Sequence, residues 1–148
     1  MLDFGCGKKP YQSLFDYEQY VGVDIEVSGH DNSQHEVDYF WDGETLPFAD
    51  ESFDSILASE VFEHVFELDA VLDELSRVLK PGGFLVSTTP FCIHEHEQPY
   101  DFARYTSFGL QYLYEKHGFT VIQNEQYGSY ASVILQLCIW RRGKVLDV

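Results

Sequence analysis

The stretch LDFGCGKKPY, residues 2–11, sets a Gly5-Cys6-Gly7 turn directly behind a strand that is barely begun. A strand that ends in Gly-x-Gly and feeds a helix brings backbone N–H groups close to a ligand, because glycine has no side chain to block approach. In open parallel sheets ligands lie beyond the carboxyl ends of the strands, where the strand order reverses. The turn therefore predicts an α/β fold with a ligand at its first crossover.

Outward from the turn, YVGVDI (Tyr20 to Ile25) reads as the next strand. It carries Asp24 near its end, 17 residues after Gly7, where a carboxylate can accept hydrogen bonds from two ribose hydroxyls. A nicotinamide dinucleotide fingerprint would need a third glycine at position 10. Pro10 stands there instead, with no N–H to offer a phosphate, and no P-loop lysine or serine follows. A dehydrogenase is the weaker reading.

Further on, apolar runs alternate with turn residues as in a mostly parallel sheet covered on both faces. Strands are predicted near Val37 to Phe40, over Phe53 to Ser59 (FDSILAS) and over Phe84 to Thr89 (FLVSTT). The clearest helix runs from Glu67 to Lys80, with Leu68, Val71, Leu72, Leu75 and Leu79 at helical spacing, and Pro81-Gly82-Gly83 stops it. A second helix is predicted from Ser107 to His117, N-capped by Thr106 and ended by Gly118. Two late antiparallel strands are expected at Phe119 to Gln126 and Ala131 to Trp140, joined by a Tyr127-Gly128-Ser129-Tyr130 turn. The polar segment Glu26 to Glu36 reads as a loop rather than a full crossover helix. The whole chain, 1–148, is expected to form a single domain.

Twenty-five acidic and nine basic residues give a net charge of −16, which repels phosphate backbones and anionic membrane surfaces. Nucleic acid and membrane are therefore not expected as partners; a small-molecule substrate is. The longest apolar run, Ala131 to Trp140, is half of the roughly 20 residues that span a bilayer. Cys6, Cys92 and Cys138 are odd in number and widely spaced, which points away from a disulfide framework and toward the reducing cytoplasm.

Five segments in order, LDFGCG, YVGVDIE, DGETLPFADESFDSILASEVFEHV, RVLKPGGFLV and PYDFARYT followed by HGF, resemble the class I S-adenosylmethionine-dependent methyltransferases of the type 11 group. The resemblance runs over nearly the whole chain. It implies a Rossmann-like doubly wound sheet of strand order 3-2-1-4-5-7-6, strand 7 antiparallel, with S-adenosyl-L-methionine as cofactor. It also implies methyl transfer to a small-molecule or glycan-linked acceptor. Carried over by residue, Asp3, Gly5, Cys6 and Gly7 surround the methionine moiety, Asp24 and Ile25 meet the ribose and adenine, Asp42 with Gly43 reaches the adenine amino group, and Ser59 with Glu60 faces the methionyl end. On the residues alone, Asp42 could equally cap the following turn, and Ser59 and Glu60 the next helix.

Three departures stand out. Lys9 replaces a frequent third glycine, the crossover after Asp24 is thin, and the strand and lid that normally precede the turn are expected to be missing, so that the chain reads as N-terminally truncated. A truncated chain could also serve as a non-catalytic interaction module, and an incomplete central strand favours homo-oligomerisation.

The polar stretch HEHEQPYDFARYT, His94 to Thr106, follows the fifth strand and so overhangs the ligand end of the sheet. His94, His96 and Tyr100 are candidate catalytic bases, since a hydroxyl or amine acceptor that must lose a proton gains from a nearby base. Asp101, Arg104 and Tyr105 are candidate substrate contacts, although the charged pair could merely pin the loop. Metal binding is not expected: His94 and His96 at i, i+2 share a side, but Glu95 and Glu97 point the other way and leave no third ligand. His64, in FEHV, reads as a packing or hydrogen-bonding residue.

Overall fold

The computed structural model describes residues 1–26 and 36–141. Residues 27–35 of the expected Glu26–Glu36 loop lie outside them. Five strands, β1 (Leu2–Phe4), β2 (Val21–Ile25), β3 (Tyr39–Trp41), β4 (Phe53–Ser59) and β5 (Leu79–Thr88), pair in parallel in the order β3-β2-β1-β4-β5. That order is the 3-2-1-4-5 part of the expected topology. The reversal falls at β1, whose Leu2 pairs with Val21 on one side and Ile56 on the other.

Parallel strands need both faces covered, and the apolar composition of β1 and β4 reflects it. Leu2, Phe4, Val23, Ile56 and Ala58 are buried in one core with the apolar stripe of helix α1 (Leu68–Val78). That stripe is Leu68, Val71, Leu72, Leu75 and Val78. The helix ends two residues before the expected Lys80, because Leu79 is already extended and pairs with Phe53 as the first residue of β5. Gly83 has no room for a side chain: a Cβ there would stand 2.8 Å from the Asp54 carbonyl oxygen.

One cation fastens the loop between β3 and β4 to α1. The Arg77 guanidinium donates to Glu74, to Asp50 and to the carbonyls of Leu46 and Phe48, while Glu74 also accepts from the Leu46 N–H. Helix α2 (Ser107–Lys116) starts where predicted, with the Thr106 hydroxyl accepting from the Gly109 N–H at 3.0 Å. It docks on α1 through His117, whose ring lies 2.5 Å from Asp73 and 2.8 Å from Asp69.

The carboxyl-terminal strands are corrected. Residues 119–127 form no regular element, and Tyr130–Arg141 is a helix, α3, where Ala131 to Trp140 was expected as a strand. Gly128 turns the chain at φ +103°, and Ser129 and Ser132 then exchange hydrogen bonds at 2.7 and 3.3 Å in a reciprocal N-terminal cap. Among the described residues β5 is thus a sheet edge. Phe84 and Val86 on it are exposed, as are Ile134 and Leu135 on α3. No helix among the described residues is long and apolar enough to cross a membrane.

Candidate functional site

The site grows from the turn after β1. Gly5 N–H and Cys6 N–H both donate to the Val23 carbonyl, at 2.8 and 3.1 Å, which folds the turn against β2. Gly5 has φ +71°, and a Cβ on it would stand 2.4 Å from a methyl of Val61, so both backbone and packing require glycine. Asp24 closes the other side: its Oδ2 accepts from the Gly7 N–H at 2.9 Å and its Oδ1 from the Ile25 N–H at 2.8 Å.

Lys9 has a left-handed backbone, with φ +50°. Its stem runs over Gly22, where a Cβ would come within 2.4 Å of it, and its ammonium reaches Asp38 at 2.7 Å. Asp38 accepts from the Gly22 N–H as well, also at 2.7 Å. Lys9 thereby ties the turn to the segment leading into β3.

Beneath the turn Asp3 is buried, and the Tyr20 hydroxyl donates to its carboxylate at 2.5 Å. Burial raises the Asp3 pKa above the ordinary carboxylate range, against the opposing effect of that hydrogen bond. Burial, with Asp24 and Asp3 nearby, pushes the Cys6 thiol up to about 12, so it stays protonated and inert.

A cavity of about 840 Å³ opens over these groups, a size usual for small-molecule sites. It brings together Asp3, Gly5, Cys6, Gly7, Asp24, Ile25, Gly43, Ser59 and Glu60. Asp42 is not on its wall; its carboxylate accepts from the N–H groups of Glu44 and Thr45 and caps that turn. Ser59 lies 3.0 Å from the Thr88 hydroxyl, and Glu60, at φ +54°, donates its N–H to the Thr88 carbonyl. Sequence reasoning missed Tyr11, Trp41, Val61, Phe66 and Glu97 as cavity residues. Trp41 had a readable signal, an aromatic ring at the end of β3 beside the Asp42-Gly43 turn.

The loop after β5 is organised by Asp101. Its carboxylate takes both terminal nitrogens of Arg104, at 2.5 and 2.7 Å, and the His96 N–H at 2.9 Å, which holds it well below the usual carboxylate range. Arg104 also points at the carbonyls of Ile93 and His94. The N–H groups of Phe102 and Ala103 both reach the Glu63 carbonyl, at 2.8 and 3.1 Å. His94, His96, Tyr100, Asp101, Arg104 and Tyr105 are all off the cavity wall, whereas Glu97 and His64 are on it. Tyr105 packs against the core, and burial raises its pKa. His64 makes the expected hydrogen bond, through Nδ1 to the Tyr100 carbonyl at 2.7 Å. Beside it Glu63 is fully buried, and burial pushes its carboxyl up to about 7.

A family model described as a methyltransferase domain matches residues 2–87, more than half of the chain. The chain belongs to this methyltransferase family. Among curated relatives, the ubiquinone biosynthesis O-methyltransferase of Bradyrhizobium sp. (strain ORS 278) is 39% identical over 102 residues, covering 60% of this chain and 39% of the relative. The chain thus spans about two-fifths of that relative's length. Among solved structures, the putative methyltransferase complexed with the Trm112 activator of Haloferax volcanii aligns at a TM-score of 0.69 with 21% identity, covering 87% of this chain and 64% of that one. An S-adenosylmethionine-dependent methyltransferase from Aquifex aeolicus aligns at 0.59 with 22% identity, covering 82% and 72%. These two likenesses establish the Rossmann-like fold.

Proposed function

We propose that the chain is an S-adenosylmethionine-dependent methyltransferase acting on a small-molecule or glycan-linked acceptor, and that the cofactor lies in the cavity above β1, β2 and β4. The observation that carries this reading is the juxtaposition of Asp24 with the Gly5–Gly7 turn on one cavity wall, held by the 2.9 Å hydrogen bond between them. A carboxylate at a strand end suits vicinal ribose hydroxyls, and the bare peptide turn suits an amino-acid tail. Ile25 and Trp41 supply apolar surface for the adenine, with Gly43, next to Asp42, at its edge. Ser59 and Glu60 stand at the methionyl end.

The bound cofactor supplies an electrophilic methyl group on a sulfonium. What the chain contributes is alignment of acceptor, methyl and sulfur, and exclusion of competing water. Glu97, on the cavity wall, is the group best placed to receive an acceptor's proton, and His64 lies beside it on the same wall. His94, His96 and Tyr100 act through the loop that carries Glu97. Asp101, Arg104 and Tyr105 fix that loop's shape and so the acceptor's seat.

The acidic surface fits a small acceptor rather than nucleic acid. The free thiols Cys6, Cys92 and Cys138 fit a cytoplasmic setting, and the exposed apolar residues of β5 and α3 fit self-association of a single-domain chain. Calorimetric titration with S-adenosylmethionine tests the reading. Saturable binding that Asp24→Ala abolishes is expected; no heat at millimolar cofactor would leave a non-catalytic module of this fold.

A further inference from the structure

We propose that Glu63, His64 and His96 form a binding site for a divalent first-row transition cation, of the zinc class, beside the cavity. One ligand atom from each of the three lies within 4.8 Å of the other two. The sequence offered no third ligand near His94 and His96; the turn after β4 supplies two from elsewhere in the chain.

Three observations argue for a cation rather than a chance cluster. Glu63 is fully buried, and among the described residues neither of its carboxylate oxygens has a hydrogen-bond partner. A buried carboxylate left without partners is costly, and coordination is one of the few ways to satisfy it. His64 holds the Tyr100 carbonyl through Nδ1, which leaves Nε2 as a lone-pair donor, and that atom too is buried without a hydrogen-bond partner. It faces Glu63 Oε1 at 3.7 Å and Glu97 Oε1 at 3.4 Å. His96 has its own Nδ1 against the His94 carbonyl at 3.2 Å and Asp101 at 3.3 Å, with a terminal nitrogen of Arg104 at 3.5 Å. Both rings are therefore oriented from behind by an oxygen, as metal-ligating histidines are.

Two imidazoles and one carboxylate select zinc-class ions over magnesium or calcium, which take oxygen shells. Ligands about 2.0–2.1 Å from zinc are about 3.3 Å apart. Loading thus draws the widest pair in by on the order of 1.5 Å, which small side-chain rotations can supply. Three protein ligands leave a position open, and His64 belongs both to the cluster and to the cavity wall. Resting on the methyltransferase reading, that position would hold the oxygen of a hydroxyl-bearing acceptor and make its proton more acidic, the proton passing to the Glu97 carboxylate, whose Oε1 lies 3.4 Å from His64 Nε2.

The test uses the full chain stripped with a chelator and titrated with Zn²⁺ by calorimetry and with Co²⁺ by visible absorption, without cofactor. One equivalent should bind, and the Co²⁺ form should show the strong d–d bands of a tetrahedral site. Glu63→Gln and His96→Asn should each weaken binding at least about 100-fold, beyond the 10–100-fold typical of lost outer-shell partners. His117→Asn, at the separate Asp69/Asp73 cluster, should leave it unchanged. X-ray absorption on the wild-type zinc form, expecting two imidazole scatterers, decides the matter even if a variant fails to fold. Absence of stoichiometric binding, or unchanged affinity in both variants, overturns the site. Because cofactor titration is a separate measurement, failure here leaves the methyltransferase reading standing.

Discussion

The side chain of Asp24 and the peptide nitrogen of Gly7 are joined at 2.9 Å, so one carboxylate both shapes the turn and faces the cavity. Replacing Asp24 by alanine removes two charge-assisted hydrogen bonds within the protein and the proposed contact to ribose. At about 1.5–3 kcal/mol for each bond to a charged group, cofactor affinity should fall by on the order of 100-fold or more. The Asp24→Asn variant, which keeps one acceptor oxygen, should lie between. Equal affinity in all three proteins would remove the carboxylate from the cofactor site.

Gly5→Ala meets two obstacles at once, the positive φ and a Val61 methyl 2.4 Å from the new Cβ. The expected cost is on the order of 1–3 kcal/mol in urea unfolding. Gly5→Ala combined with Val61→Ala should recover part of it, because the second change removes the clash while leaving the backbone strain. No recovery would place the whole cost in the backbone.

Arg77 bonds two carboxylates and two carbonyls, and the Leu46 and Phe48 carbonyls have it as their tie to α1. Arg77→Met keeps the aliphatic stem and deletes the charge. A loss of about 2 kcal/mol is expected, seen as a fall in Tm of about 4–8 °C by calorimetry. A change within the error of the scan would mean that water replaces the guanidinium at no cost.

The His117 pKa is raised by Asp73 and then by Asp69. A raised folded-state pKa means that the charged ring stabilises the fold fully below its ordinary value of 6.5, and that this contribution is lost as pH rises through the folded value. The stability difference between the wild type and His117→Asn should therefore shrink as pH is raised from about 6 upward, followed by urea titration at a series of pH values. A difference that grows with pH would contradict the ion pairs.

Thiol reactivity separates the cysteines. Cys138 is exposed on α3, whereas Cys6 is buried with its pKa pushed up to about 12. Native-state alkylation read by mass spectrometry should modify Cys138 first and Cys6 at least about 100-fold more slowly, until denaturant is added.

The sequence carried the fold wherever one signal dominated. Asp24 was legible because strand, turn and spacing agree, and Thr106 because a hydroxyl before an amphipathic run has little else to do. The carboxyl-terminal strands were misread because Ala131 to Trp140 is apolar on nearly every side, and without a period only length and capping separate helix from strand. The Ser129–Ser132 pair was the cap that gave the helix away. His94 and His96 were found by composition, yet the groups that stand beside His96, Glu63 and His64, sit in a turn some thirty residues earlier, a contact only tertiary structure brings about. Asp42 illustrates the reverse: its carboxylate satisfies local N–H groups, the alternative that turn chemistry had kept open.

The loop after β5 hangs from the Glu63 carbonyl by two peptide nitrogens, those of Phe102 and Ala103. A hinge made of main chain is blind to side-chain identity. Positions 91–93, 95 and 98, which are off the cavity wall and outside the proposed cation site, can therefore be exchanged without loosening that anchor, whereas His96 beside Glu63 and Glu97 on the wall cannot, which divides the loop into a fixed part and an evolvable one.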